Sequence, residues 1–177
     1  LIRDGSGYRV YFARRTDAGF AVYTSTSSEG DVWSAAEPIQ GIVEGHYPAA
    51  LREDDGRIGL WFGSGSIDVA WSQDGVNFMG QERGVLRPTE VTGFSTPSLR
   101  YPEVRKTPQG TYSMWFMGID SGSFSIARAT SPNGMTWTAS TPPMLQKNAT
   151  YDSTSVGQPE VHRIQDEGLI RRPPVGP

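Results

Sequence analysis

Three short patterns recur along this chain in a fixed order, and that periodicity constrains its fold more than any other feature. The first is an extended segment around a proline: GHYPAALRED at 45–54, LRYPEVRKTP at 99–108 and GQPEVHRIQD at 157–166. The second is an alternating aromatic segment: YRVYFAR at 8–14, RIGLWFGS at 57–64 and TYSMWFMG at 111–118. The third is a turn that closes on an aromatic: SSEGDVW at 27–33, SQDGVNF at 72–78 and SPNGMTW at 131–137. The spacings hold. Pro48 to Pro102 is 54 residues, Pro102 to Pro159 is 57, Trp61 to Trp115 is 54 and Phe12 to Phe62 is 50. Chance does not keep three motifs in phase over three copies.

Within one repeat the pieces read as short strands. TYSMWFMG alternates with period two and is rich in aromatics, as a half-buried strand should be. FSIARATS and IDVAWSQ read as the next strand, and GMTWTAS as the fourth. Asp74-Gly75 and Asn133-Gly134 tolerate positive φ and suit a tight turn between the last two strands. The turn serine can hydrogen-bond its neighbours. Trp33, Phe78 and Trp137 are expected to fold back onto the sheet, and Tyr11, Trp61, Phe62, Trp115 and Phe116 to fill the core between sheets. No segment shows a helical period. Four short strands per repeat with an aromatic anchor predict an all-β chain, a β-propeller of about three four-stranded antiparallel blades. A parallel β-helix needs shorter repeats, and a sandwich would not keep this phase.

The blades are placed at about 1–40, 41–92 and 93–145, followed by a lone inner strand at 157–164 and an irregular tail at 165–177. Three blades fall short of the four to eight with which propellers close. Two completions are open. Either missing sequence supplies the remaining blades, or a second chain completes a ring of six, each chain lending its terminal strand to the other as an exchanged-strand homodimer. In that assembly His162 falls at the junction between chains.

Charge and composition exclude several function classes. The formal net charge of −3 draws the chain to neither nucleic acid nor anionic membrane. The absence of cysteine removes disulfides, zinc-thiolate sites and thiol nucleophiles. The two histidines, His46 and His162, do not sit at ligand spacing, so no metal site and no cofactor are expected. No apolar run reaches the length of a bilayer span and no signal peptide is read, so a soluble chain is expected, with its compartment open. The glycine-rich stretches at 62–66 and 120–123 lack the lysine and following helix of a phosphate loop and read as hairpin connections. Nothing resembles a Ser-His-Asp triad.

The segments YDSTSVGQPEVHRI at 151–164, YPEV at 101–104, TYSMWFMG at 111–118 and ARATSPNGMTW at 127–137 resemble the five-bladed β-propeller glycoside hydrolase superfamily. Its arabinanases, invertases and mannoside phosphorylases share this blade grammar. The likeness is greatest to bacterial relatives whose blades read Trp-Asp-Ser, then Pro-x-Val, then an aromatic strand and Ser-Pro-Asp-Gly-x-x-Trp. It runs to about residue 164 and implies a carbohydrate-associated propeller of glycosidase type.

Chemistry in such enzymes needs two carboxylates facing one another across the axis. Many of these hydrolases place an Asp directly before the blade proline; here that position holds Tyr47, Tyr101 and Gln158. The departure points toward sugar binding without hydrolysis. The remaining acids on the inner strands are Glu103 and Glu160, the catalytic candidates, expected on the strand face opposite the pre-proline residue. The competing reading makes them structural carboxylates paired with Arg100, Arg105 or Arg163. Substrate contacts are assigned to His46, Tyr47, Tyr101, Arg100 and Asp152, the last matching the superfamily's Asp-Ser pair. Glu44 receives no role, and His46 shows no evident partner. The alternatives to a glycosidase-type propeller are a non-catalytic lectin-like binding or assembly module and an inactive remnant of a longer glycoside hydrolase. Glu103→Gln separates enzyme from binder in an aryl glycoside screen.

Overall fold

The computed structural model describes residues 1–63, 65–93, 98–120, 123–146 and 157–161. The described chain is all-β, with three antiparallel sheets of four strands each in sequential order. The first holds β1 (Ile2–Asp4), β2 (Gly7–Thr16), β3 (Gly19–Ser27) and β4 (Glu37–Pro38). The second holds β5 (Ala49–Arg52), β6 (Ile58–Phe62), β7 (Ile67–Ser72) and β8 (Phe78–Leu86). The third holds β9 (Ser98–Lys106), β10 (Tyr112–Asp120), β11 (Ser123–Ser131) and β12 (Thr138–Ala139), and a short β13 (Leu145–Gln146) also pairs with β11. One 3₁₀ turn at Pro88–Glu90 is the only helical element among the described residues, and no helix there is long and apolar enough to cross a membrane. Residues 157–161 belong to no sheet, although the Arg105 Nε donates to the Val161 carbonyl at 3.0 Å. His162 and the tail lie outside the described residues.

The repeated turn is built from its own side chains. In the second sheet Ser72 Oγ accepts from the Gly75 amide at 2.9 Å, and Asp74 Oδ1 accepts from the amides of Val76 and Asn77, each at 2.8 Å. The third sheet repeats this with Ser131 and Asn133. The first repeats its opening bond, from the Gly30 amide to Ser27 Oγ at 2.8 Å. Gly30, Gly75 and Gly134 all adopt φ between 74° and 95°, a region closed to most side chains, which is why each copy has glycine there.

The aromatics then tie each turn to the preceding sheet. Tyr11 Oη donates to the Gly75 carbonyl at 2.9 Å, and its ring stands edge-on to Phe78. One repeat later, Trp61 Nε1 donates to the Gly134 carbonyl at 2.9 Å, and its ring stands edge-on to Trp137. Phe78 and Trp137 are buried as expected, whereas Trp33 is half-buried. Trp115 corrects the expectation for its class. It is half-buried rather than core, with the Arg128 guanidinium 5.5 Å from its ring centre.

Apolar burial joins the sheets in sequence. Ile58, Leu60 and Phe62 alternate toward the first sheet and pack with Ile2, Tyr11 and Val22. Trp61 joins the other cluster, with Leu99, Val104, Met114 and Phe116 of the third sheet. β6 is thus buried on both faces along its whole length, with Trp61 and Phe62 in the core as expected. Gly59 permits this: a Cβ there would lie 2.7 Å from the rings of Trp61 and Trp71. Ion pairs fasten the same junctions. Arg52 pairs with Asp4 across the first, and Lys106 bonds Glu53 and Asp54, each at 2.8 Å, across the second.

Candidate functional site

The three proline segments meet in one shared cavity. It has a volume of about 540 Å³ and is lined by Tyr47-Pro48, Tyr101-Pro102-Glu103 and Gln158-Pro159-Glu160, with Phe12, Ala13 and Phe20 completing the wall. Tyr47, Tyr101 and Gln158 adopt φ of 51°, 50° and 56°, and they are the only non-glycine residues with positive φ among the described residues. The left-handed region costs an L-residue roughly 1–2 kcal/mol. Three equivalent positions adopt it, each directly before its proline, and strain repeated at one place in a fold is characteristic of a functional surface.

The strain turns the pre-proline side chains toward one another. The Tyr47 and Tyr101 rings lie 3.9 Å apart between centroids and 31° from parallel. Burial pushes the Tyr101 phenol up, and its hydrogen bond with Tyr47 adds to the rise. The stack continues outward. Tyr47 lies 5.7 Å from the His46 ring, which lies 4.4 Å from Phe20. An aromatic wall therefore runs from the first sheet to the third.

The carboxylates depart from expectation in direction. Glu103 and Glu160 line the same cavity as Tyr101 and Gln158 rather than an opposite face. Tyr101 has positive φ where the β9–β10 register shifts between Arg100 and Glu103, which interrupts the regular alternation of side chains. Glu103 is also held in an ion pair within its own strand, its Oε1 lying 2.6 Å from Arg105 Nη2.

His46 has a partner that the sequence reading lacked. Its Nε2 lies 3.1 Å from Glu44 Oε1. Both residues line a second, more polar cavity of about 410 Å³ beside the first, with Asp68, Gln81 and Arg83 on the far side. Asp68 is fixed there by the Gly84 amide at 2.8 Å and the Gln81 side-chain amide at 3.1 Å. The signal for Glu44 was available in the sequence as an acid two residues before the only histidine in that loop.

Arg100 and Tyr101 line a third cavity of about 310 Å³ with Met117, Phe124 and Gln158, and the buried Arg100 Nε has no hydrogen-bond partner among the described residues. Asp152 lies outside the described residues. No cluster of metal-binding side chains occurs among the described residues.

No protein-family model matches the sequence, and no curated protein matches it either. Solved structures do match. A glycosidase from Bacteroides thetaiotaomicron superposes over 88% of this chain with a TM-score of 0.68 at 13% identity. The fold is that of the propeller glycoside hydrolases. A structure from the GH130 family of mannoside phosphorylases matches 86% of the chain with a TM-score of 0.65 at 14% identity. A bifunctional GH43-CE protein of Bacteroides eggerthii matches 83% with the same TM-score and identity. The chain spans 57%, 54% and 19% of these three structures in turn. Of the strained tyrosines, Tyr101 lies within β9 and Tyr47 just ahead of β5.

Proposed function

We propose that the cavity between the inner strands binds a carbohydrate ring, and that it does so without hydrolysing a glycosidic bond. The observation that carries this reading is the strained pair Tyr47 and Tyr101, held in the left-handed region before their prolines and presented in one cavity. The C–H face of a sugar suits an aromatic surface, and stiff aromatics give contact area at low entropic cost. Glu103 and Glu160 supply hydrogen-bond acceptors for hydroxyl groups, which carboxylates bind more strongly than neutral acceptors do.

Two features favour binding over turnover. Neither tyrosine nor glutamine can replace the carboxylate found before the proline in hydrolases of this type. Glu103 is engaged by Arg105 rather than presented for proton transfer. The GH130 neighbour comes from a family that contains glycoside hydrolases targeting β-1,2 mannosidic linkages, which makes mannosides sensible first probes.

Calorimetric titration with a panel of mannosides, arabinosides and fructosides tests the reading. Binding is expected, with Tyr101→Ala weakening it about tenfold or more through loss of a stacking face. An aryl glycoside panel is expected to show no turnover. Failure of every saccharide to bind overturns the proposal. Turnover that disappears in Glu103→Gln overturns its non-hydrolytic half.

A further inference from the structure

The residue just ahead of each strained position differs among the three copies: His46, Arg100 and Gly157. His46 meets an acid two residues earlier, with its Nε2 3.1 Å from Glu44 Oε1. The repeat puts Ser98 where Glu44 stands, so Arg100 lacks the equivalent acid. Glu103, the next acid along the strand, is held by Arg105. Arg100 is half-buried, and its buried Nε has no hydrogen-bond partner among the described residues. A buried donor left unpaired is unfavourable, most of all when it is charged.

The surroundings of Arg100 favour an anion as the missing partner. Met117, Ile119 and Phe124 form the apolar wall of its cavity. Gly157 lets the third proline segment close against that wall, where a Cβ would clash with Met117. Arg100 is the one charged group among the described residues lining this cavity. Attraction between opposite charges is screened less against such a wall than in water. The planar guanidinium fork matches the two oxygens of a carboxylate. One guanidinium balances the single charge of a carboxylate and falls short of a phosphate dianion. Tyr101 and Gln158 line both this cavity and the central one, so a ligand in one has a group's reach into the other.

We infer that Arg100 selects an acidic saccharide, a uronic acid whose carboxylate enters the third cavity while its ring stacks on Tyr101 in the central one. The inference rests on the reading of the central cavity as a sugar site and adds a preference for charge. Its orientation follows from electrostatics. Glu103 and Glu160 line the central cavity and repel a carboxylate, whereas no acid lines the third among the described residues.

Calorimetric titration compares methyl glycosides of glucuronic, galacturonic and mannuronic acid with those of glucose, galactose and mannose. At least one uronide is expected to bind about tenfold tighter than its neutral parent, with the gap narrowing as salt is raised. Arg100→Gln is expected to bring that ratio to about one, and Arg100→Lys to keep part of it, because lysine retains the charge and loses the fork. Both ligands are titrated into every variant, so the ratio separates the charge contact from a general loss of binding. Thermal melts show whether the fold is retained, and the ratio and salt dependence of the unmodified chain stand without any variant. Neutral glycosides that bind as tightly as every uronide overturn the inference and leave the sugar site standing. A preference that survives in a folded Arg100→Gln overturns it as well. Hexose phosphates that bind more tightly than the uronides overturn the carboxylate assignment. Failure of every saccharide to bind overturns the sugar site and this inference together.

Discussion

At the residue scale, the clasp around Glu53 shows how a buried acid shapes the behaviour of its neighbours. Glu53 is 7% exposed, accepts from the Tyr112 hydroxyl at 2.8 Å through one oxygen and meets the Lys106 ammonium with the other. Burial, reinforced by that bond to a carboxylate, pushes the Tyr112 phenol up to about 12, with Lys106 and Arg57 opposing the rise. A phenol whose folded value lies above its unfolded one binds its proton more tightly when folded. Its stabilisation is therefore complete below pH 10 and is lost as pH climbs from 10 toward 12. Melting temperature followed over that window should fall, and Tyr112→Phe should start lower but fall less steeply. Identical slopes in the two proteins would exclude Tyr112 as a source of the alkaline loss. This clasp joins residues 59 apart, and nothing in either local sequence announces it. The pre-proline strain was equally hidden. The sequence shows which residues stand before each proline, but tyrosine and glutamine seldom adopt positive φ, so only the folded chain reveals that all three do.

At the element scale, the turn and the aromatic strand were the most legible parts, because their chemistry is local and repeats. The spacing of serine, acid or asparagine, and glycine predicts a self-bonded turn, and all three copies close the serine-to-glycine bond. What the spacing could not tell is that the turn glycine also receives a donor from the preceding sheet. The two junctions differ in how much depends on that donor. The Gly134 carbonyl accepts from both Trp61 and Trp137, whereas Tyr11 supplies the side-chain bond to Gly75. Tyr11→Phe removes one hydroxyl from a buried ring and leaves that carbonyl short of its donor. The expected loss is about 1–2 kcal/mol in urea denaturation, since an unsatisfied buried acceptor forfeits its desolvation cost. A change below about 0.3 kcal/mol would mean that solvent reaches the carbonyl and the bond is not a structural tie.

At the scale of the whole molecule, the three sheets are unequal partners. The repeat in the sequence makes them look interchangeable, and the identical spacing of Trp61 and Trp115 encouraged the same burial for both. The fold separates them, because burial depends on the neighbours a sheet has, and among the described residues the second sheet packs against a sheet on each side. Its β6 contributes Ile58, Leu60 and Phe62 to one apolar cluster and Trp61 to the other, so it is shared by both. Local opening should therefore release the flanking sheets before the middle one, since foldons with fewer buried contacts open at lower free energy. Native-state hydrogen exchange reads this residue by residue. The slowest amides are expected within Ile58–Phe62 and Ile67–Ser72, and the fastest strand amides within Glu37–Pro38 and Thr138–Ala139 at the outer edges. Slower exchange in β2 or β10 than in β6 would show that the sheets hold independent cores, and the shared strand would lose its place as the centre of stability.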